Sequence, residues 1–174
     1  MKKKEEFKVL GFDLGASSGR AIIGSLDNDN VLKLEVLYRF PNGGVQDGNS
    51  LYWDFTKLWQ EVLNSLKTFV EQEGQHLNSI GFDVWGVDFA LLDENDELTG
   101  RIHHYRDKRT EGMLEEIFKI VPKKEIFNQT GIQFMIINTL VQLYSMVFNK
   151  SPQLNGTKTF IMLPDYFNFL MSGK

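Results

Sequence analysis

The sequence predicts an α/β fold: a mixed sheet with a three-stranded antiparallel meander and flanking helices. Two short apolar runs, Phe7 to Phe12 and Arg20 to Leu26, stand either side of a glycine-rich turn, and an alternating run follows them. Beyond these, stretches of helical period exchange with strand-like ones. The order meander, helix, strand, helices, strand, helix suits an α/β layer with an antiparallel portion better than a uniformly alternating doubly wound sheet.

The first two runs form a hairpin that closes at "DNDN". In the third, Leu32, Leu34, Val36, Tyr38 and Phe40 fall on one face while Lys33, Glu35 and Arg39 fall on the other. The connection "PNGGVQDGNS" is rich in glycine. Asp54 then caps a helix whose Phe55, Leu58, Val62, Leu66 and Phe69 recur at steps of three and four until Gly74 ends it. Ser79 to Asp93 reads as a buried strand followed by an edge, and "ENDE" with Gly100 turns toward a shorter strand near Ile102 to Tyr105. Met113, Leu114, Ile117 and Val121 mark a helix stopped by Pro122. Leu140, Leu143, Tyr144 and Val147 mark another that starts near Asn138, with this stripe as core packing. "TFIMLP" is strand-like, and "DYFNFLMSGK" is a helix with Asp165 in capping position and Gly173 near its end.

Composition limits the function. The chain has 174 residues, 42% of them hydrophobic, so one domain is the default by length. Its 19 basic and 23 acidic residues give a net charge of −4, which supplies no sequence-wide attraction for nucleic acid or an anionic membrane. No apolar run reaches the length of a membrane span, and the lysines of "MKKKEEFK" precede no hydrophobic segment of a signal peptide. The expected location is cytoplasmic, with residues 1–6 a solvated, frayed terminus. With no cysteine, disulfides, thiolate nucleophiles and Cys-ligated zinc are excluded from this stretch. His103 and His104 are neighbours on a strand and face opposite ways, so they cannot both grip one metal; a structural pair is expected. Arg106, Asp107 and Arg109 are read as ion-pairing groups.

The stretch "FDLGASSGR" carries the candidate chemistry. Gly15 and Gly19 can take positive φ in a tight turn while the amides between them point outward, a concavity suited to an anion; an ordinary hairpin turn accounts for the same glycines. A valine at Gly19 separates the two, since an anion site would lose affinity with stability near normal. A Walker loop fails, because Gly173-Lys174 has Asn168 where the first glycine belongs; a dinucleotide fingerprint fails, because the glycines at 11, 15 and 19 are four apart. What remains is Asp-x-Gly-x-x-x-Gly-Arg between two strands. Asp13 is placed to hold a hydrated Mg2+, and Ser17, Ser18 and the loop amides to meet phosphate oxygens.

"DLGASSGR" resembles the first phosphate loop of the actin-like ATPase and sugar kinase superfamily. "SIGFDVWGVDFALLD", "YRDKRT", "TGIQFMIINTLVQLYS" and "MLPDYFNFLMSGK" narrow the resemblance to the FGGY family of carbohydrate kinases, from about Phe7 to Lys174. The resemblance implies an actin-like (ribonuclease H-like) fold. It further implies transfer of the γ-phosphate of ATP to the 1-hydroxyl of L-rhamnulose, with another ketose (fuculose or xylulose) or a noncatalytic nucleotide- or sugar-binding module as alternatives. On it, Ala16, Ser17, Ser18, Gly19 and Arg20 contact the nucleotide phosphates, Asp13 stands near the metal, and Gly86 contacts the sugar, with Trp85, Asp88 and Gln133 as further sugar-site candidates. Family members have two actin-like domains with the active site between them, so residues 1–174 are expected to be an incomplete first domain with the second absent. The aspartate base is expected beyond Lys174, in the C-terminal remainder of the parent chain, which leaves this chain alone without turnover and with uncovered apolar surface.

Overall fold

The structure, a computed structural model, describes residues 7–27 and 29–174; the expectation for residues 1–6 lies outside them. The chain divides into two compact units. Among the described residues, the first is drawn from residues 7–43, 54–85 and 167–174, and the second from residues 44–53 and 86–166.

In the first unit β1 (Phe7–Leu14), β2 (Ser18–Leu26) and β3 (Leu32–Pro41) form the antiparallel meander, and β6 (Ser79–Asp83) runs parallel to β1, giving the order β3-β2-β1-β6. Leu10, Phe12 and Leu14 of β1 alternate inward and are at most 3% exposed. Helix α1 (Phe55–Glu73) packs against β3, and Tyr38 donates to Glu61 at 3.0 Å. As expected, Asp54 caps α1 by accepting from the Lys57 N–H, and Gly74, at φ 84°, ends it. Phe82 stacks between Phe12 and Phe167, with ring centroids 4.8 and 5.2 Å away.

One strand departs from the alternation read in the sequence. A β-bulge lies opposite Ala21/Ile22: Val36 pairs with Ile22 and Tyr38 with Ala21, so Leu37 is the extra residue. Facing residues share a side of the sheet, so Tyr38 and Phe40 join the inward row of Ala21 and Ile23, while Leu32, Leu34 and Val36 lie on the opposite face and are 57%, 69% and 47% exposed. The five residues do not share a face.

The second unit contains two antiparallel strand pairs and most of the remaining helices. The glycine-rich connection forms β4 (Gly44–Asp47) and β5 (Ser50–Trp53); β7 (Phe89–Leu92) pairs antiparallel with β8 (Thr159–Met162). The stretch read as one strand and its edge is thus two strands in different sheets, and the burial is reversed: β6 is largely exposed and β7 wholly buried. Near Ile102 only a single bridge, His103 to Tyr52, forms. Helix α2 (Met113–Ile120) ends before Pro122 as expected, but Pro122 then caps α3 (Lys123–Thr130). Proline suits a helix start because the first N–H groups have no helical acceptor. Helix α4 (Thr139–Phe148) buries Val141, Gln142, Ser145 and Met146; of the stripe read from the apolar residues, Leu143 packs on the core while Leu140 and Val147 are 52% and 62% exposed. Phe89, Leu91 and Met146, with Leu143, Leu154 and Met162 against them, make the core of this unit. Helix α5 (Leu163–Ser172) supplies residues to both units; it begins before Asp165, which lies in its first turn rather than at the cap.

Candidate functional site

The β1–β2 turn is shaped from within and from the end of β3. Gly15 N donates to the Ser18 carbonyl at 2.9 Å. Asn42 N donates to the Ser17 carbonyl at 3.0 Å and Asn42 Nδ2 to the Gly15 carbonyl at 2.6 Å. Asn42, absent from the sequence-derived candidates, is therefore the residue that clamps the turn. The N–H groups of Ala16 and Ser17 make no hydrogen bond among the described residues, and Ser17 is exposed. Neither Gly15 nor Gly19 has positive φ, contrary to expectation. Gly19 is required for a packing reason: an added Cβ would lie 2.3 Å from the Phe40 ring, its cross-strand partner. Arg20 holds the carboxylate of Asp13 in an ion pair, and Asp13 lies beside Asp83 across the β1–β6 ladder. No group of three or more side chains suited to hold a metal occurs among the described residues.

The second group of candidates centres on the segment after β6. Gly86 is exposed, with no atom within 4 Å of where a Cβ would lie. The Val87 carbonyl next to it accepts from Thr139 Oγ1 at 2.9 Å and Gln142 Nε2 at 3.0 Å. Asp88 is fully buried; its carboxylate accepts from the Trp53 indole at 2.7 Å and Gln142 Nε2 at 3.0 Å, and its backbone carbonyl from Leu163 N at 2.9 Å. Burial pushes the Asp88 carboxyl above its ordinary range, opposed by those two donors and by Arg109. Its oxygens are thus spent on the protein. Trp85 is half-buried, and Gln133 is exposed, its carbonyl accepting from Asn138 Nδ2 at 2.8 Å.

Gln142 joins these pieces. Fully buried, its Nε2 also reaches the Ile137 carbonyl at 2.9 Å, and its Oε1 accepts from Arg109 Nη2 at 2.6 Å. Arg109 in turn pairs with Asp107 at 3.3 Å, and Asp107 receives the Leu51 and Arg109 amides. A glutamine one position off an apolar stripe was the available signal: with the stripe set at Val141, Ser145 and Met146, it points inward. His104 stacks on Trp53 with centroids 3.9 Å apart, and its Nδ1 accepts from Arg106 N; His103 lies against Tyr52. Burial lowers both imidazoles to about 4, which keeps them neutral and fits the structural pair expected of them. A cavity of about 220 Å³, walled mostly by apolar side chains, opens at Gly86 and Val87.

An exposed turn with unspent main-chain donors suits an anion, and a cavity walled by apolar side chains suits a small organic molecule. The family comparison agrees: residues 8–174 match the N-terminal domain of the FGGY family of carbohydrate kinases, and the chain belongs to that family. It is similar to proteins named rhamnulokinase: 42% identical to that of Oceanobacillus iheyensis over 95% of the chain and 35% of the relative, and 40% identical to that of Mannheimia succiniciproducens over 95% and 34%. The chain thus spans about a third of the length of these relatives. In fold it is similar to a gluconate kinase from Lactobacillus acidophilus (TM-score 0.83, 13% identity, 98% of this chain and 34% of that one). A xylulose kinase from the same organism gives a TM-score of 0.81 at 14% identity, over 96% and 34%. The mixed sheet with flanking helices read from the sequence is the observed architecture. No helix among the described residues is long and apolar enough to cross a membrane.

Proposed function

We propose that this chain is the nucleotide- and sugar-contacting part of a cytoplasmic, ATP-dependent kinase that phosphorylates the 1-hydroxyl of L-rhamnulose. The observation that carries the reading is the similarity to rhamnulokinases over 95% of the chain, joined to a β1–β2 turn whose Ala16 and Ser17 amides are unspent. Unpaired main-chain donors beside the Ser17 and Ser18 hydroxyls fit phosphate oxygens, and Arg20 adds a positive charge at the turn. A carboxylate at a strand end with a second one beside it fits Mg2+, which takes one or two carboxylates and keeps waters. Asp13 would hold that ion, which when bound neutralises charge on the transferring phosphoryl group.

In the reaction a bond forms from the sugar O1 to the γ-phosphorus, the bond to the β-bridging oxygen breaks, and the hydroxyl proton passes to a base. Gly86 positions the sugar by exposing backbone, with Trp85 next to it in the chain and Gln133 as a further contact, and Asp88 supports the Gly86–Val87 segment from within. The base belongs to the part of the relatives' length that this chain does not span. A coupled ADP-release assay over a ketose panel tests the reading. The protein at the length of its relatives is expected to turn over L-rhamnulose best, and residues 1–174 alone to give no sugar-dependent ADP. Turnover by residues 1–174, or none by the longer protein, overturns it.

A further inference from the structure

The cavity at Gly86 has walls that a fully hydroxylated sugar does not match. Leu114, Ile117 and Phe118 of α2, Ile126 of α3, Phe134 of the following loop and Leu140 of α4 line it. Three polar side chains also face it, and each already donates to a backbone carbonyl. Thr130 Oγ1 donates to Ile126 at 2.9 Å, Asn138 Nδ2 to Gln133 at 2.8 Å and Thr139 Oγ1 to Val87 at 2.9 Å. A sugar hydroxyl entering here would be stripped of water and meet hydrocarbon on most sides, which is costly unless it finds a partner. A C–H end enters without that penalty and gains apolar burial.

We propose that this cavity is the subsite for the deoxygenated end of a 6-deoxyketose, and that its apolar walls, rather than hydroxyl contacts, select against sugars oxygenated at carbon 6. The inference rests on the ketose kinase reading above and deepens it. L-Rhamnulose and L-fuculose end in a methyl group; L-fructose carries a hydroxyl at the carbon where L-rhamnulose has none, and xylulose stops one carbon short. The Asn138 Oδ1, which accepts no hydrogen bond among the described residues, is left for one of the sugar's remaining hydroxyls.

The experiment compares kcat/KM for L-rhamnulose, L-fructose and xylulose on the protein at the length of its relatives, and on its Leu140→Gln and Ile132→Asn variants. These two lining side chains are 52% and 56% exposed, so polar replacements are compatible with folding. L-Rhamnulose is expected to exceed L-fructose by about 10- to 100-fold and xylulose by about 10-fold or more, the range a hydrophobic pocket provides for one hydroxyl or one carbon. In the variants a polar group reaches the added hydroxyl, and the ratio to L-fructose should shrink by about threefold or more. Equal use of L-rhamnulose and L-fructose, or a ratio unmoved by both variants, overturns the subsite while leaving a ketose kinase standing. Absence of turnover on every sugar overturns the kinase reading and the subsite with it. Circular dichroism checks that each variant folds, and the ratio is read from the one that does.

Discussion

At Gly19 the constraint is the ring of Phe40, itself only 2% exposed, so any side chain there displaces a core aromatic. Gly19→Ala is expected to lower unfolding free energy by about 1–3 kcal/mol, the usual range for overpacking, and Phe40→Leu should relieve most of that loss. Urea denaturation of the two single variants and the double variant checks it. Consequently Gly19→Val cannot separate anion binding from folding, as the sequence alone implied. The position was legible as special; its reason was not, because the ring that demands it sits 21 residues later in the chain and meets it only through strand register. Gln142 is the opposite case, a residue with no motif around it. Gln142→Leu leaves the Arg109 guanidinium without that acceptor and removes one donor from both Val87 and Asp88. A buried polar group left unsatisfied costs about 1–3 kcal/mol, so the variant should lose at least about 2 kcal/mol in the same assay.

Elements whose signals were local came through from sequence: α1 has its cap, stripe and terminal glycine within one stretch, and the β1–β2 hairpin its glycine turn. Elements set by distant partners did not. The β4–β5 hairpin hides in a glycine-rich connection, and β3 reads as one amphipathic strand because alternation is blind to a bulge supplied by the neighbouring register. The bulge divides β3 by environment. Tyr38 and Phe40 belong to the packed face, and Leu32, Leu34 and Val36 to the open one. Amide hydrogen exchange should therefore be faster over residues 32–36 than over 38–40; uniform protection along the strand would contradict the division.

Across the whole chain, pH acts chiefly through the buried imidazoles. His103 and His104 are held near 4 when folded, below their ordinary 6.5, so both are neutral in either state above about pH 6.5 and their contribution is then complete. As pH falls from there toward 4, the unfolded chain takes up protons that the folded one refuses, and stability is lost. Asp88, raised by burial, works the other way, since its folded form takes a proton more readily as pH falls, and it offsets part of the loss. Thermal midpoints measured from pH 7.5 to 4.5 should fall, and His104→Gln should lower the midpoint at neutral pH while flattening that slope.

The aliphatic row of β3 has a further effect. This strand is an outer one of its sheet, so unpaired main-chain groups and greasy side chains are presented together, the combination that recruits a strand from a neighbouring molecule and ends in precipitate. A single gatekeeper charge should suffice against it: Leu34→Lys, at a position 69% exposed, ought to raise the concentration the chain tolerates in solution while leaving its unfolding midpoint where it was.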